Sequence, residues 1–353
     1  MTFNVTPVIF DGHNDALLHL HLKGGLSETK TFLTGRDGAL DLVKARAGGF
    51  SGGFFAVYIP SLIDKEFKID EMTKAFYDLP LPDAIDWESA LPTAMAIIAI
   101  LFDLENKDAL KVCRSVSDIQ NTLAEDKISA ILHLEGAEAI DKDLQTLEVL
   151  YQAGLRSLGP VWSRPNIFGH GVPFRYPSNP NIGPGLTEHG IRLIKRCNKL
   201  GIMVDVSHLN AAGFWDVANQ SDRPLVATHS NVHAICPHSR NLTDDQLTAI
   251  KESDGMVGLN FAAAFLREDG RMIADVKLDQ MLRHLDYLIE YLGEDRVGLG
   301  SDYDGAVVPT DVTTVADLPN LRKAMIDHGY DNALMVKICH KNWLRVLDKT
   351  WTD

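Results

Sequence analysis

Side chains that bind metal ions or transfer protons end several short apolar segments of this sequence. The first segment is VIFDGHND, in which His13 and Asp15 are two residues apart. Residues i and i+2 of a β-strand point to the same face, so this pair could ligate one metal ion. Four other apolar segments end in residues of the same kind, namely Glu135, His208, His229 and Asp302. Imidazole and carboxylate groups without thiolates favour a zinc site over iron–sulfur or Cys-type structural zinc.

Eight short apolar runs recur along the chain, and each is bounded by Gly, Pro or polar residues, as buried parallel strands are. The runs are residues 8–15, 52–60, 128–136, 155–162, 201–208, 224–230, 255–261 and 296–305. Amphipathic segments at 142–153 and 278–292 place their apolar residues on one helical face, which predicts helices. Thr243 and Gln246 form a capping-box pattern ahead of another helix. A further long helix is predicted at 87–104.

Eight strands that alternate with helices predict a distorted (β/α)8 barrel, which is the TIM-barrel architecture. We expect a single domain over residues 1–353 with a helical insertion at about 62–127, since no linker-like composition divides the chain. An open doubly wound sheet is the alternative fold. It would usually carry a glycine-rich phosphate loop after the first strand, and DGHND is not such a loop.

The active site of such a barrel lies at the C-terminal ends of its strands, which meet at one mouth. Each candidate has an ordinary explanation when it is taken alone. A strand-end histidine can be a core residue, Glu135 can cap the following helix, and Asp302 can be a turn residue before Gly305. Together they would require five independent coincidences at one end of one barrel. We therefore expect a metal site there, with Asp11 supporting the ligands from behind and Asn260 as a possible pocket residue.

Composition excludes several classes of protein. The 353 residues contain 34 Lys and Arg against 48 Asp and Glu, and the net charge of −14 disfavours binding to nucleic acid or anionic membranes. No apolar run approaches the roughly 18 residues that a membrane span needs. The four cysteines lie far apart without a CxxC pair, which indicates separate buried thiols. The N-terminal residues lack the pattern of a signal peptide, so we expect a cytoplasmic protein.

Six motifs together resemble the membrane dipeptidase (renal dipeptidase) family of the amidohydrolase superfamily, in the form of a soluble bacterial-type member. They occur in order over nearly the whole chain, as DGHND at 11–15, Glu135-Gly136, DVSH at 205–208, ATHS at 227–230, SRN at 239–241 and GSDYDG at 300–305. The resemblance implies a metal-dependent hydrolase barrel that cleaves small, unblocked dipeptides. It also suggests tolerance of a D-residue at the C-terminal position, and a homodimer as the common assembly.

The resemblance also assigns the metal ligands of a binuclear zinc centre. His13 and Asp15 would hold the first Zn²⁺ ion, His208 and His229 would hold the second, and Glu135 would bridge both. Two such ions about 3.5–4 Å apart can share one hydroxide, because metal binding lowers the pKa of water from about 16 toward 7. This metal-bridging hydroxide would attack the peptide carbonyl.

The remaining contacts follow from the chemistry of a dipeptide, which is a zwitterion. By resemblance, Asp302 would take a proton from the nucleophile and pass it to the departing amine. Arg240 would pair with the C-terminal carboxylate, since a guanidinium binds a carboxylate through two hydrogen bonds. Tyr58 and Asp304 are candidates for the ammonium end. Tyr58 could equally be a core aromatic residue, and Asp304 could equally cap the turn at Gly305.

One position departs from the family pattern. Family members carry a histidine after the fourth strand, near the scissile carbonyl, and Trp162 stands at that place in VWSRPNIFGHG. The role of the histidine could pass to His170 or Arg164, or be absent. The change motivates an alternative amidohydrolase function on N-acyl amino acids, lactones or phosphoesters. A non-catalytic metal-binding barrel is a third alternative, and the five intact strand-end residues argue against it.

Overall fold

Parallel strands form a barrel in the computed structural model, which describes residues 6–61 and 69–351. The barrel strands are β1 (Ile9–Asn14), β2 (Phe50–Tyr58), β5 (Ile128–Glu135), β6 (Leu155–Gly159), β8 (Met203–Val204), β9 (Val226–Ala227), β10 (Met256–Asn260) and β11 (Val297–Gly300). Three shorter strands complete the described set, namely β3 (Tyr77–Asp78), β4 (Leu110–Val112) and β7 (Arg175–Tyr176). All eight barrel strands lie within the apolar runs of the sequence or overlap them.

The order of neighbouring strands is β8–β6–β5–β2–β1–β11–β10–β9. The two ends of this order meet through a parallel bridge from Asp205 to Val226 and a 2.9 Å hydrogen bond from Val206 N to Val226 O. The predicted (β/α)8 barrel is therefore confirmed, and the alternative of an open doubly wound sheet is wrong.

The barrel is distorted on one side, and β5 is the strand at which the distortion begins. The short strand β4 pairs with the first half of β5, at Leu110 and Ile128, whereas β6 pairs with the second half, up to Glu135 and Gly159. Beyond β6, the strands β8 and β9 contain only two residues each. Their C-terminal continuations are therefore loops, and these loops carry DVSH and ATHS.

Helices cover the outside of the barrel. They are α1 (Ala16–Lys23), α2 (Thr29–Thr34), α3 (Leu42–Gly48), α4 (Trp87–Asn106), α5 (Val116–Ala124), α6 (Gln145–Ala153), α7 (Glu188–Leu200), α8 (Ala211–Gln220), α9 (Asp244–Glu252), α10 (Ala263–Leu266), α11 (Leu278–Leu292), α12 (Leu318–His328), α13 (Asn332–Val336) and α14 (Asn342–Thr350). The predicted bounds of α11 and the capping box of α9, between Thr243 and Gln246, are confirmed.

Helix α6 begins three residues later than the predicted helix over 142–153. Leu144 has a left-handed φ of 63°, and the carboxylate of Asp141 accepts hydrogen bonds from Asp143 N, Gln145 N and Thr146 N. Asp141 thus satisfies the first free N–H groups from outside the helix, and the apolar spacing alone did not reveal this start.

The predicted insertion at 62–127 contains strands as well as helices. A 3-10 turn over Ile69–Thr73, β3, α4, β4 and α5 follow β2, and residues 62–68 lie outside the described part. Strand β3 pairs antiparallel with β7, with Tyr77 opposite Tyr176. Met72 lies shortly before β3, and its carbonyl oxygen accepts a hydrogen bond from Met272 N (2.9 Å). The insertion is therefore tied to loops from the later part of the chain.

Among the described residues, α4 is long and apolar enough to cross a membrane by the criteria of length and composition. The expectation that no segment approaches this size is wrong. The acidic residues of α4, Glu88, Asp103 and Glu105, stand near its two ends, which leaves a long uncharged stretch between them. Its buried face, which includes Ile97, Leu101 and others, belongs to the main hydrophobic core. Core helices of soluble proteins meet the same two criteria, so this finding carries no assignment to a membrane.

A separate apolar cluster fills the inside of the barrel below its mouth. Trp343 of α14 is fully buried there, and its ring N–H donates to Leu299 O of β11 (3.1 Å). A Cβ atom at Gly12 of β1 or Gly258 of β10 would overlap the Trp343 ring or come within 2.9 Å of it. The absence of a Cβ atom at these two glycines therefore makes room for the Trp343 indole. The apolar cluster around it closes the barrel at the end opposite its mouth. All four cysteines are buried and free, as expected.

Candidate active site and metal centre

Five residues singled out by the sequence meet at the C-terminal ends of the barrel strands. His13, Asp15, Glu135, His208 and His229 are all buried. Each lies at the end of its strand or within the first residues after it, which is where parallel strands of a barrel converge. Residues that are separated by more than two hundred positions in the sequence are thus brought within a few ångströms of one another.

Glu135 stands at the centre of this group. Its Oε1 atom lies 3.6 Å from His13 Nε2, 3.0 Å from His208 Nε2 and 3.7 Å from His229 Nε2. His13 Nε2 lies 3.4 Å from Asp15 Oδ2 on its other side. One carboxylate therefore connects a His–Asp pair with a pair of histidines.

The donor atoms form several overlapping groups that could each hold a metal ion. Within each group the donor atoms lie within 4.8 Å of one another, and the groups are His13–Asp15–Asp302, Glu135–His208–His229 and His13–Asp205–His229. The two ring nitrogens of His13 are buried and have no hydrogen-bond partner among the described residues. An unpartnered imidazole among carboxylates fits a metal ligand better than a core histidine, because buried polar groups are normally hydrogen-bonded.

Neighbouring hydroxyls orient two of the imidazoles. His208 Nδ1 lies 3.0 Å from Ser163 Oγ, and His229 Nδ1 lies 2.8 Å from Thr228 Oγ1. These contacts leave both Nε2 atoms directed at Glu135, which is how outer contacts fix metal-ligating histidines. Asp205 holds the supporting loops together, since its carboxylate accepts hydrogen bonds from Ser207 Oγ (2.6 Å) and Thr228 Oγ1 (2.5 Å).

Burial changes the charge that each group prefers. It raises the pKa of Glu135 well above its ordinary value and lowers the pKa values of His208 and His229 well below theirs, so both imidazoles favour the neutral, ligating form. Burial also lowers the pKa of His13, but Glu135, Asp15 and Asp302 outweigh it and raise that pKa to about 10. The surroundings of His13 thus favour a positive charge, which fits a divalent cation held by this donor set.

Behind the ligands, Asp11 is buried and holds the last barrel strand against the first. Its carboxylate accepts hydrogen bonds from Ser301 N and Ser301 Oγ, both at 2.7 Å. Burial raises the pKa of Asp11 to about 7, and the bonds from Ser301 oppose that rise. Asp11 therefore supports the site from behind, as expected. His133 is also a hydrogen-bonded core histidine, with Nδ1 2.8 Å from Ser157 Oγ.

Asp302 lies at the edge of the centre in an unusual backbone conformation. Its φ is 61°, and its N–H donates to His13 O (3.0 Å). Its Oδ2 accepts a hydrogen bond from Asn260 Nδ2 (3.0 Å), so Asn260 does face the site. Burial raises the pKa of Asp302 above its ordinary value, and His13 opposes that rise.

Arg240 is buried on the opposite side of the pocket, close to His208. One Nη atom donates to Ser207 O, and the other lies 3.3 Å from both His208 Nε2 and His229 O. The Nε atom is buried without a hydrogen-bond partner. Burial lowers the pKa of Arg240 to about 10, so the guanidinium keeps its charge at neutral pH. Among the described residues, the partners of the guanidinium are neutral groups and not carboxylates, which leaves its charge available to a substrate anion.

A pocket of about 210 Å³ opens between Asp302 and Arg240. Its polar lining consists of Asp15, Glu135, His208, Arg240 and Asp302, and its apolar lining consists of Leu18, Tyr58, Met72, Trp162, Phe174, Phe265, Met272 and Ala306, with Gly305 at the rim. The volume suits a molecule of dipeptide size. The pocket lining therefore combines a few ionisable side chains with a larger number of apolar ones.

Trp162 and Tyr58 form part of the apolar wall. Their ring centroids lie 5.1 Å apart, and the Trp162 ring lies 5.8 Å from that of His208. Burial raises the pKa of Tyr58 to about 12, so its hydroxyl stays protonated. Trp162 thus lines the pocket beside His208, at the position where the sequence comparison led us to expect a histidine.

Three other sequence candidates lie away from the pocket lining. Arg164 is fully buried, where it donates to Glu138 Oε1 (2.8 Å) and Ile59 O (2.6 Å). His170 Nδ1 lies 3.4 Å from Gly185 O. Neither residue is placed to substitute for the family histidine.

Asp304, the third of them, is the partner of Arg36 in a buried ion pair. Its other carboxylate oxygen accepts a hydrogen bond from Ala39 N (2.6 Å). The side chain therefore has its partners within the protein, and the structure does not bring it to the substrate pocket.

The sequence patterns did not single out several residues that surround the site. Asp205 belongs to the DVSH motif, but the motif did not indicate a role for Asp205 distinct from that of His208. Phe174 and Met272 lie in loops, Met72 lies in the 3-10 turn before β3, and Phe265 lies in α10. None of these apolar residues belongs to a motif, and only the fold places them around one pocket. Shared membership of a pocket wall is a property of tertiary structure, so no spacing in the sequence signals it.

A parallel barrel with a buried imidazole–carboxylate centre at its C-terminal mouth defines a metal-dependent hydrolase of the amidohydrolase type. The sequence model of the membrane dipeptidase family, peptidase family M19, matches residues 3–352. The chain therefore belongs to the membrane dipeptidase family, whose members are metal-dependent dipeptidases.

Solved structures show the same relationship. A metallopeptidase from Rhodobacter sphaeroides, liganded with a phosphinate mimic of the dipeptide L-Ala-D-Ala, is 52% identical with a TM-score of 0.96, and the match covers 98% of this chain and 100% of that one. The dipeptidase AC, another M19 metallopeptidase, is 51% identical with a TM-score of 0.92, and the match covers 98% and 99% of the two chains.

A protein of unknown role also matches at high identity. It is encoded in the pqqA 5' region of Klebsiella pneumoniae and is 48% identical over 242 residues, which are 69% of this chain and 89% of that protein. A probable dipeptidase from Pseudomonas aeruginosa, PvdM, shares the fold with a TM-score of 0.81 at 22% identity, over 98% of this chain and 95% of that one.

Proposed function

We propose that this metal-dependent dipeptidase works with two Zn²⁺ ions and uses Asp302 to transfer the proton. The observation that carries the proposal is the position of Glu135. Its Oε1 atom lies within 3.7 Å of the Nε2 atoms of three buried histidines. A single carboxylate among three imidazoles suits a ligand shared by two ions.

The described residues divide into two ligand sets around that carboxylate. His13 and Asp15 would hold one ion, His208 and His229 would hold the other, and Glu135 would contribute to both. Ions bound there would supply a water of lowered pKa and would polarise the peptide carbonyl. Zinc is proposed because three imidazoles and two carboxylates without thiolates match its ligand preferences.

Asp302 is the group placed to move the proton. Water adds to the carbonyl carbon, the C–N bond breaks, and the departing amine must gain the proton that the water loses. Asp302 belongs to the same donor group as His13 and Asp15, and burial raises its pKa above the ordinary value of a carboxyl group. Asn260 Nδ2 donates to Asp302 Oδ2 (3.0 Å), which would hold the carboxyl group in place while it takes the proton from the water and passes it to the amine.

Arg240 and the size of the pocket favour a free dipeptide. A buried guanidinium whose Nε has no partner suits the C-terminal carboxylate of the substrate. The bound L-Ala-D-Ala mimic in the Rhodobacter sphaeroides metallopeptidase, at 52% identity, supports a small dipeptide substrate and tolerance of a C-terminal D-residue here.

A second candidate is hydrolysis of N-acyl amino acids. Asp304, which the sequence suggested for the substrate ammonium group, pairs with Arg36, and Trp162 presents an apolar surface to the centre. An acyl group in place of an ammonium group would suit that surface. Arg240 would bind the carboxylate of either substrate.

A panel of matched substrates separates the two candidates. The zinc-loaded enzyme would be assayed with L-Ala-L-Ala, L-Ala-D-Ala and their N-acetyl derivatives, and released amino acids would be quantified by HPLC. The proposal expects kcat/KM to be highest on the free dipeptides. Higher kcat/KM on the N-acetyl compounds would favour the second candidate, and turnover of none would contradict both.

A further inference from the structure

The segment that follows β11 holds Asp302 in a conformation that needs support. Asp302 and Asp304 both have left-handed backbone conformations, with φ of 61° and 69°. Residues other than glycine rarely adopt such angles, because the Cβ atom approaches the following carbonyl oxygen. Two of them on either side of Tyr303 indicate a turn that the surrounding structure must stabilise.

Backbone and side-chain bonds hold the first part of this turn. Ser301 is bound by Asp11, the Tyr303 hydroxyl donates to Val312 O (2.9 Å), and Asp15 N donates to Tyr303 O (2.8 Å). These contacts fix the start of the turn and its middle residue. None of these bonds involves Asp304, the second residue of the turn with a left-handed backbone conformation.

Asp304 is held through its side chain by a different part of the chain. One carboxylate oxygen pairs with Arg36, and the other accepts a hydrogen bond from Ala39 N (2.6 Å). The side chains of Arg36 and Asp304 are each only 3% exposed. A buried, hydrogen-bonded ion pair resists displacement, because separation would leave two uncompensated charges.

Arg36 is itself fixed on the side away from Asp304. Its Nε donates to Leu40 O (2.8 Å), and its Nη1 contacts His19 and Asp37 O. Its backbone N–H donates to the carboxylate of Asp41 (3.2 Å), the residue that also caps α3. The guanidinium is therefore an anchored partner and not a mobile surface side chain.

The turn has little freedom to shift without disturbing the active site. Gly305 follows Asp304 directly, and a Cβ atom placed on it would overlap the Asp15 carboxylate and lie 2.7 Å from Asp302 Oδ1. The backbone at this point is thus in contact with both carboxylates. Because Asp302 is only two positions before Asp304 in the same turn, a shift of the backbone at Asp304 would also move Asp302.

We propose that Arg36 and Asp304 are positioning residues for Asp302. The inference rests on the proposed role of Asp302 in proton transfer. The ion pair anchors the turn after β11 to the segment before α3, and so holds the Asp302 carboxyl group at the distance from the metal centre that proton transfer needs. Neither residue lines the pocket of the candidate active site.

The test combines Arg36→Met and Asp304→Asn with the Asp302→Asn variant, all loaded with zinc. We expect Arg36→Met to lower kcat on L-Ala-L-Ala about 10- to 100-fold, since small displacements of a catalytic group have effects of that size. KM and zinc content should stay at the wild-type values, because Arg240 and the ligands are untouched. Arg36→Lys should recover part of the activity, and Asp304→Asn should resemble Arg36→Met.

The background of Asp302→Asn distinguishes positioning from a general structural role. Once the carboxyl group is gone, Arg36→Met should cause no further loss of kcat. The exposed pair of Lys323 and Asp327 provides a control, and Lys323→Met should leave kcat unchanged.

Three results would overturn the inference. They are an unchanged kcat in Arg36→Met, a loss of zinc that parallels the loss of kcat, and an equal further loss in the Asp302→Asn background. A wild-type enzyme that is active while Arg36→Met is unaffected would overturn the positioning role alone. A wild-type enzyme without dipeptidase activity would overturn the proposed function and this inference with it.

Discussion

Glu135 has the least ordinary environment of the residues in this site. It is a buried carboxylate with three imidazole nitrogens within 3.7 Å of one of its oxygens. Burial raises the pKa of Glu135, and His13 opposes that rise. Bound metal cations would oppose it further and would favour the ionised, ligating carboxylate.

At Asp302 we predict a loss of chemistry without a loss of metal. Asp302→Asn keeps the shape of the side chain and its contact with Asn260, but it cannot take up a proton. We expect kcat on a free dipeptide to fall by about 10²- to 10⁴-fold. Zinc content by atomic emission should equal that of the wild type. A variant that retained normal kcat would remove Asp302 from the mechanism.

At Arg240 we predict a loss that depends on the substrate. Arg240→Met removes the charge that would pair with the substrate carboxylate, so kcat/KM on L-Ala-L-Ala should fall about 10- to 100-fold. The corresponding dipeptide amide lacks that carboxylate, and kcat/KM for it should change little. Equal losses on both substrates would show that Arg240 acts through His208 or the fold instead.

At the scale of elements, short strands and the turns after them place the ligands. Strand β1 ends in His13 and Asn14, and Asp15 follows as the residue before α1, while the turn after β11 packs Gly305 against Asp15. The two elements are neighbours in the barrel although their sequences lie almost 300 residues apart. Close packing between them sets the position of the Asp15 carboxylate.

We predict that Gly305→Ala displaces Asp15. The added Cβ atom would overlap its carboxylate, so zinc content should fall by about one ion per chain and activity should fall with it. Gly159→Ala at the end of β6 is the matched control, because its nearest atom, Val161 O, is at an ordinary distance of 3.5 Å. Full zinc content in Gly305→Ala would contradict the close packing.

His284 of α11 gives a prediction for stability in acid. Its Nδ1 accepts a hydrogen bond from Val232 N (3.2 Å), and its Nε2 lies 3.0 Å from Leu266 O. Burial lowers its pKa from 6.5 to about 4, so the folded protein holds this imidazole neutral while the unfolded chain protonates it below pH 6.5. Its contribution is complete above pH 6.5 and is lost as the pH falls toward 4.

The size of that contribution is on the order of 3 kcal/mol. In urea unfolding at several pH values, the difference in unfolding free energy between the wild type and His284→Gln should shrink between pH 7 and pH 4.5. A difference that stays constant over this range would show that the protonation of His284 does not contribute.

At the scale of the whole molecule, much of the fold followed from the sequence because buried parallel strands have a distinctive composition. Each of the eight runs is short and apolar on both faces, and helices with clear periodicity, such as Leu278–Leu292, separate them. The rule that strand ends converge then brought His13, Glu135 and Asp302 to one mouth. Local pattern and topology together were therefore sufficient to predict that these three residues meet at one end of the barrel.

Tertiary contacts account for what the sequence did not predict. Met72 and Met272 are 200 positions apart and meet through one backbone hydrogen bond, which no local pattern signals. Asp304 stands close to Asp302 in an acidic motif, and only the position of Arg36 shows that Asp304 is a partner in an ion pair. Helix α4 was predicted close to its observed bounds, and only the length of its apolar stretch was underestimated, since burial against the core, rather than any motif, permits that stretch.

A centre in which Glu135 joins two zinc ions is the core of the proposed function. The number of zinc ions per chain in gently purified protein, measured on the same sample as its hydrolysis of L-Ala-L-Ala and L-Ala-D-Ala, tests that centre. Such a centre requires close to two ions per chain, loss of activity with a chelator, and recovery when zinc is restored. Protein that binds no zinc after it is added back, or that hydrolyses dipeptides without any bound metal, would contradict it.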